Sequence, residues 1–235
     1  MSDLLRHWAA SHRGTVRPSN QDAYLCRPDI GLFAVADGVG GHAGGEFASS
    51  EVVRALEAVP PGLTPADLLN AVRSRLQAAH ERLQAEATSL GSPMTATTVV
   101  VLLLHGDHLA CFWAGDSRAY MLRHGQLVAL TSDHSVVGEL LRAGKLTDAQ
   151  AERHPNSNVI TRAIGVRSAD LLVDKVIGYV EPGDRFLLCS DGLTKALPAD
   201  EIVAYLEASD PATALVEAAL AAHAKDNVTA LVTLA

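Results

Sequence analysis

The chain has 235 residues, of which 48% are hydrophobic and 20% are charged, a composition typical of a globular protein with a sizeable core. Its 27 acidic residues outnumber the 19 basic ones and give a formal net charge of -8, which argues against a nucleic-acid-binding surface because backbone phosphates would be repelled. The longest aliphatic run, residues 99–104, is too short to span a bilayer, and the first residues lack the apolar stretch of a signal peptide. We therefore expect a cytoplasmic protein that contacts no membrane.

Short β-branched or aromatic segments bounded by turn residues predict strands. In chain order these are residues 22–26, 31–36, 97–104, 108–114, 119–123, 171–180, 185–189 and 228–234. Helical periodicity marks residues 46–58, 65–87, 199–208 and 212–224. Strands and helices alternate too poorly for a doubly wound parallel sheet, and hairpin signals such as His124-Gly125 favour antiparallel pairing. The sequence therefore predicts an α+β sandwich.

No repeat or Gly/Ser linker divides the chain, so we predict one domain over residues 1–235. Within it, residues 135–158 become polar and broken, with short helical stretches and no clear core stripe. We interpret this segment as a mobile flap. The three cysteines are far apart in apolar surroundings, which predicts reduced thiols and no disulfide framework.

Five aspartates lie where strand-like runs break into polar turns. They are Asp22, Asp37, Asp116, Asp191 and Asp226. If three such carboxylates met without a cation, each pair at about 4 Å would cost roughly 4 kcal/mol at an effective dielectric of about 20. A folded-together cluster therefore implies bound metal.

The glycine-rich segment after Asp37 allows three interpretations. Residues 38–43 fit the loose dinucleotide fingerprint GxGxxG/A between a strand and a helix, but that helix leads into Val59-Pro60-Pro61 and not into a strand with a ribose-binding acid. A plain glycine turn capped by Asp37 is the second interpretation. In the third, the strand delivers Asp37 to a metal and Gly38 brings its carbonyl close enough to ligate. The third agrees best with the other four aspartates.

Eight short blocks occur in a defined order along the chain. They are RPSNQD (17–22), DGVGGH (37–42), TT (97–98), GDSR (115–118), DHS (133–135), NVITRAIG (158–165), SDG (190–192) and DN (226–227). In this order they resemble the metal-dependent protein phosphatases of the PP2C class, in its compact bacterial branch, over about residues 13–234. Such a resemblance implies a four-layer αββα sandwich, with two central antiparallel sheets flanked by helix pairs and a metal centre in a cleft at one edge.

The resemblance also implies a metal centre with two core Mn²⁺ or Mg²⁺ ions and room for a third. Asp37 would bridge the core ions, Gly38 would offer its carbonyl to one of them, and Asp191 and Asp226 would ligate the other. Asp22 would act through a metal-bound water. Oxygen-only ligands of this kind suit hard octahedral cations and disfavour zinc.

The same resemblance implies that the chain hydrolyses phosphoserine and phosphothreonine by attack of a metal-activated hydroxide. Asp37 and Asp191 would be catalytic through the metals, and Asp116 would hold the third ion together with Asp191. Arg17 would be catalytic by gripping the substrate phosphate with its guanidinium fork. Val39 replaces the histidine that eukaryotic relatives carry after the Asp-Gly pair, so the acid that protonates the leaving group is unassigned.

Phosphorylated proteins are the expected partners, with an opposing Ser/Thr kinase in the same bacterium, and the protein is expected to be a monomer. A metal-binding pseudophosphatase that works as a regulatory interaction module is the alternative. Among the remaining charged residues, Arg118 and Arg162 are expected to pair with buried carbonyls or acids. Asp174 and Asp184 are expected to be turn or surface acids without partners.

Overall fold

The computed structural model describes residues 5–40, 43–89, 95–168 and 170–235. Its strands are β1 (Arg6–His12), β2 (Asp22–Arg27), β3 (Leu32–Val39), β4 (Ala96–Thr97), β5 (Val99–His105), β6 (His108–Ala114), β7 (Arg118–Arg123), β8 (Gln126–Ala129), β9 (Asp174–Tyr179), β10 (Arg185–Cys189) and β11 (Val228–Leu234). Its helices are α1 (Ala43–Glu57), α2 (Pro65–Ser89), α3 (Val136–Arg142), α4 (Asp148–Glu152), α5 (Asp191–Ala196), α6 (Ala199–Leu206) and α7 (Pro211–Ala221). No helix in these ranges is long and apolar enough to cross a bilayer.

The strands form two sheets. One has the order β1-β11-β10-β7-β8, and the other has the order β2-β3-β5-β6-β9 with β4 beside β3. All of these neighbouring strands run antiparallel. The hairpin signal at His124-Gly125 is confirmed, since these residues connect β7 and β8.

Successive side chains of the central strands point to opposite faces of their sheet, and this alternation produces the layers. In β3, Leu32 and Ala34 pack with α1 and α2, while Phe33 and Val35 point into the space between the sheets and meet Leu231 of β11. The outer face of the other sheet packs against α5, α6 and α7. Each fully buried large apolar side chain contributes about 1.5–3 kcal/mol. The predicted αββα sandwich is confirmed.

The sequence did not predict the edge strands β1 and β8 or the short helix α5. The β1 segment has no fully buried residue, so its sequence lacks the apolar alternation of a half-buried strand, and β8 is only four residues long. The predicted strand at residues 97–104 is divided at Thr98, whose N–H donates to the Asp37 carbonyl at 2.8 Å. The flap segment contains α3 and α4, in agreement with the expected short helical stretches.

Two acids expected on the surface without partners have arginine partners in the structure. Asp184 is buried and accepts hydrogen bonds from Arg123 Nε and Nη2 at 2.8 and 2.6 Å. Asp174 accepts one from Arg162 Nη1 at 2.7 Å and lies 3.1 Å from His134 Nε2. The expectation that these acids lack partners was wrong: Asp184 pairs with Arg123, 61 positions away, and Asp174, whose side chain is 41% exposed at the surface, pairs with Arg162, 12 positions away. The expected pairing of Arg162 with an acid is confirmed.

Candidate metal centre

The register of β2 and β3 brings the first two aspartates together. Asp22 and Asp37 are direct partners across this antiparallel pair, where opposite side chains lie about 4.5–5.5 Å apart. Asp37 follows Phe33 and Val35 on the strand face that points toward the other sheet. Two carboxylates therefore stand side by side at one end of the inter-sheet space.

A threonine pair fixes the backbone of Asp37. The Asp37 carbonyl accepts hydrogen bonds from Thr98 N–H and from the Thr97 hydroxyl, both at 2.8 Å. The Asp37 N–H donates to Thr98 Oγ1 at 3.2 Å, and that hydroxyl lies 2.7 Å from Ser117 Oγ. The sequence identified the Thr-Thr block only as a motif, whereas the structure gives it a positioning role.

Asp22 has one oxygen that is held and one that has no partner. Its Oδ2 accepts hydrogen bonds from Ser190 Oγ at 2.8 Å and from Thr229 Oγ1 at 2.7 Å. Its Oδ1 is buried and makes no hydrogen bond within the described ranges. Burial, opposed by the two hydroxyls, raises the pKa of Asp22 to about 7. A cation, or water held by a cation, would satisfy this oxygen.

Two glycines bring the end of β3 close to the start of α1. A Cβ on Gly38 would lie 2.2 Å from the carbonyl oxygen of Gly45, and a Cβ on Gly45 would lie 2.9 Å from the carbonyl oxygen of Gly38. Neither position accepts a side chain without a shift of the backbone. Gly45 thus keeps open the space beside the Gly38 carbonyl, the group predicted to ligate a metal.

Six of the seven predicted site residues line one cavity of about 260 Å³. Its walls include Arg17, Asp37, Gly38, Asp116, Asp191 and Asp226, together with Val39, Asn158 and Lys195. Asp22 does not line the cavity and lies beside Asp37 on the neighbouring strand β2. That position suits a carboxylate that reaches a metal through water.

Burial and mutual repulsion act on the carboxylates of this cavity. Burial raises the pKa of Asp37 well above its usual value, and the charges of Asp22 and Asp191 raise it further. Burial and the charge of Asp191 raise the pKa of Asp116 to about 7. A bound divalent cation favours the charged form of a carboxyl group, so it would offset the burial and repulsion that raise these pKa values.

Two cations from the protein already contact the carboxylates. Arg17 donates from Nε and Nη2 to the two oxygens of Asp226, each at 2.8 Å, and this fork lowers the pKa of Asp226 although burial opposes it. Lys195 Nζ lies 2.5 Å from Asp191 Oδ2. Arg17 therefore lines the cavity, and its guanidinium holds Asp226, one of the predicted metal ligands. Lys195 was not predicted, and its only sequence signal is the i,i+4 spacing from Asp191.

The donor set fits Mn²⁺ or Mg²⁺. Carboxylate and carbonyl oxygens surround the cavity, and neither His nor Cys is among its described lining residues, which disfavours zinc. Within the described ranges, no three His, Cys, Asp or Glu side chains are already gathered in ligand geometry, and two of the carboxylates are turned toward Arg17 and Lys195. An ionised carboxylate has about four lone-pair sites, so Asp191 and Asp226 could each ligate a metal through sites that Lys195 and Arg17 leave free.

Asn227 ties the loop that carries Arg17 to the end of the cavity. Its Oδ1 accepts from Gln21 N–H at 2.8 Å, and its Nδ2 donates to the carbonyls of Arg13 and Ser19 at 2.9 Å each. The neighbouring Asp226 thereby keeps a fixed position relative to the arginine loop. The sequence marked Asn227 only as part of a block, because these contacts span about two hundred positions.

An αββα sandwich with acidic strand ends around an oxygen-lined cavity defines a class of metal-dependent hydrolases. Residues 10–231 match the family model for protein phosphatase 2C, and the chain belongs to this family. The family predicted from the ordered motifs is therefore confirmed. His42, the last residue of the DGVGGH block, lies outside the described residues.

Several relatives are serine/threonine phosphatases. The chain is 36% identical over 236 residues to the serine/threonine protein phosphatase PstP of Mycobacterium tuberculosis, covering 97% of this chain and 45% of PstP. It thus spans about half the length of that relative. Its structure matches PppA, a key regulatory component of T6SS in Pseudomonas aeruginosa, with a TM-score of 0.90, 42% identity, and coverage of 99% of this chain and 98% of PppA.

One similar structure contains metal. The catalytic domain of PstP in complex with two manganese ions matches with a TM-score of 0.83 and 34% identity, covering 98% of this chain and 97% of that one. This match supports metal dependence for the family to which the chain belongs.

Proposed function

We propose that this chain is a Mn²⁺- or Mg²⁺-dependent protein serine/threonine phosphatase that hydrolyses phosphoserine and phosphothreonine. The observation that carries the proposal is the convergence of Asp37, Asp116, Asp191 and Asp226 on one cavity that also contains Arg17. The unpartnered Oδ1 of Asp22 beside Asp37 adds to it. The complete set of acids disfavours the pseudophosphatase alternative.

Each residue has a proposed role in holding the metals. The carboxylates of Asp37, Asp191 and Asp226 and the carbonyl of Gly38 would hold two core ions, and Asp22 would contribute through water. Asp116 lies with Asp191 on the side of the cavity where a further cation would be held. Burial and the neighbouring carboxylates raise the pKa of Asp37, which supports the core assignment because a divalent cation favours the charged form.

The chain's own groups orient the substrate. Divalent cations held here would supply an activated water and positive charge toward the phosphoryl oxygens. Arg17 uses two of its five N–H donors on Asp226, so three remain for phosphoryl oxygens. Asp226 thereby sets the angle of the guanidinium. Val39 lines the cavity beside Gly38, so the side chain at this position has no proton to give to the leaving alkoxide.

We extend the proposal to the cell. Phosphorylated proteins are the substrates, and a cognate Ser/Thr kinase opposes the enzyme. Residues 1–235 act as one monomeric domain, which the pairing of β1 with β11 supports. The unpaired cysteines Cys26, Cys111 and Cys189 support a reducing compartment such as the cytoplasm.

The test is hydrolysis of a phosphothreonine peptide by metal-stripped protein. We expect no turnover without metal, recovery on addition of Mn²⁺ and loss on chelation. Asp37→Asn should lose several orders of magnitude in turnover, because uncatalysed phosphate-monoester hydrolysis is among the slowest reactions. Asp200→Asn, which changes an exposed acid in the first turn of α6, is the matched control. Full activity of the chelated protein, or of Asp37→Asn, would overturn the proposal.

A further inference from the structure

Lys195 stands at the junction of three open spaces. It lines the carboxylate cavity and a groove that runs past Arg17 toward His223 and Lys225. It also lines a second groove, whose walls include Asp116 and, from the flap segment, Val137. Its ammonium therefore places a positive charge where these spaces meet the metal centre.

The contact between Lys195 and Asp191 joins an exposed ammonium to a carboxylate that is mostly buried. Exposed i,i+4 pairs on a helix surface hold two solvated groups together only weakly. Here the Asp191 side chain is 16% exposed and the Lys195 side chain 47%, and Nζ lies 2.5 Å from Oδ2. Helix α5 thus supplies both a ligand carboxylate and a cation that occupies it.

Asp116 shares the cavity wall with both residues. Asp191 and Asp116 are the pair assigned above to a third metal ion, and Lys195 lines the same cavity. An ion between the two carboxylates would need the Asp191 oxygen that Lys195 now holds. It would also face the ammonium at short range, where like charges repel.

Charge balance points in the same direction. Five aspartates set against Arg17, Lys195 and two divalent ions leave one net positive charge. A third divalent ion would raise the excess to three in a partly buried space. Loss of the lysine charge would remove part of this penalty.

We propose that the ammonium of Lys195 takes the place of a third divalent cation on the Asp116 side of the centre and limits the protein to two ions. The inference rests on the proposed function, because it assumes the two core ions. It assigns Lys195 as a positioning residue that sets metal stoichiometry and orients Asp191.

The experiment counts bound Mn²⁺ directly. Metal-stripped protein is titrated with Mn²⁺ at fixed pH and ionic strength, and free Mn²⁺ is measured by electron paramagnetic resonance. We expect two ions in the natural protein. Lys195→Met, which keeps a similar length without the charge, should bind a third ion at least tenfold more tightly than the natural protein does. Lys195→Arg should retain two.

Two further variants separate the local effect from a general one. Lys225→Met removes an exposed lysine in the neighbouring groove and should leave the stoichiometry at two. Lys195→Met combined with Asp116→Asn should lose the third ion again. Circular-dichroism melting curves establish that each variant is folded, and Lys195→Gln replaces Lys195→Met if the latter does not fold.

The outcomes distinguish the inference from the function on which it rests. An equal number of ions with equal affinity in the natural protein and in the neutral Lys195 variant would overturn the inference alone. A third ion that survives Asp116→Asn would also overturn it. Failure of the natural protein to bind any Mn²⁺ would overturn both.

Discussion

Arg17 contacts both oxygens of Asp226, so one side chain links the phosphate-binding role to a metal ligand. We expect Arg17→Ala to raise the KM for a phosphothreonine peptide by about 10–100-fold, since a hydrogen bond to a charged group contributes about 1.5–3 kcal/mol. Above neutral pH the Mn²⁺ affinity should not fall, because the variant frees Asp226 from a competing cation. Steady-state kinetics and Mn²⁺ titration measure the two effects separately.

Arg13→Ala is the control for the Arg17 prediction. Arg13 is exposed in the same loop, and among the described residues its side chain donates a hydrogen bond only to the Pro18 carbonyl, at 3.5 Å. This variant should keep the natural KM. An unchanged KM in Arg17→Ala, or a loss of Mn²⁺ affinity without a change in KM, would contradict the role assigned to Arg17.

Single residues were predictable from the sequence where the chain marks them locally. Asp37 follows an apolar strand and precedes glycine, so its position at a strand end could be read directly. The cations that contact the acids could not, because Arg17 and Asp226 are 209 positions apart. Nothing in the local pattern distinguishes Lys195 from a solvated helix lysine. Asp184 was missed for the same reason, since Arg123 lies 61 positions away.

At the scale of elements, the approach of β3 to α1 depends on Gly38 and Gly45. We expect Gly38→Ala to lower the free energy of unfolding by about 1–3 kcal/mol, the usual effect of overpacking, because the new Cβ would lie 2.2 Å from the Gly45 carbonyl oxygen. Relief of this contact must move the Gly38 carbonyl, so Mn²⁺ affinity should fall as well. Urea unfolding and Mn²⁺ titration measure the two quantities.

Gly178→Ala is the matched strand control. In β9 an added Cβ would meet Leu109 Cγ at 3.5 Å, which is an ordinary van der Waals contact. This variant should unfold at nearly the natural urea concentration and bind Mn²⁺ normally. If Gly38→Ala behaves in the same way, the close approach of β3 and α1 is not needed for the metal centre.

Elements with a buried face were predictable, and elements at sheet edges were not. Strands β6, β10 and β11 match the prediction residue for residue, because each is buried along nearly its whole length. Strand β1 joins its sheet by pairing with β11, an interaction between opposite ends of the sequence. Helix α5 spans six residues, too few for a helical period to stand out.

At the scale of the whole molecule, the carboxylate cluster couples metal binding to folding and pH. Burial raises the pKa of Asp22 and Asp116 to about 7, whereas carboxyls in an unfolded chain titrate near 4. Between these pH values the metal-free folded state binds more protons than the unfolded state. The contribution of these two carboxyl groups to the free energy of unfolding therefore falls as pH rises from about 4 to about 7. Above about 7 their contribution levels off.

Other titratable groups change the stability in a similar pH range, but with the opposite sign. Burial lowers the pKa of His80 and His134, so their contribution to stability is lost as pH falls below about 6.5. The pKa of Asp226 is lowered, and it affects stability only in more acidic solution. A melting curve of metal-free protein alone therefore mixes these effects, whereas the difference between Mn²⁺-loaded and metal-free protein isolates the carboxylates.

We expect the rise in Tm caused by a fixed Mn²⁺ concentration to be small at pH 5.5, to grow up to about pH 7 and then to level off. Ligation requires ionised carboxylates, so each proton displaced changes Mn²⁺ affinity by about tenfold per pH unit, and tighter binding to the folded state raises Tm by mass action. Asp116→Asn removes one of these protons and should flatten the curve, because nearby divalent cations favour ionised Asp116 even without direct ligation. Calorimetry in buffers with different ionisation enthalpies should show proton release below pH 7 and little above it.

A Tm rise of equal size at pH 5.5 and 8 would mean that the carboxylates are already ionised without metal, and the clustered charge would then have to be balanced by Arg17 and Lys195 alone.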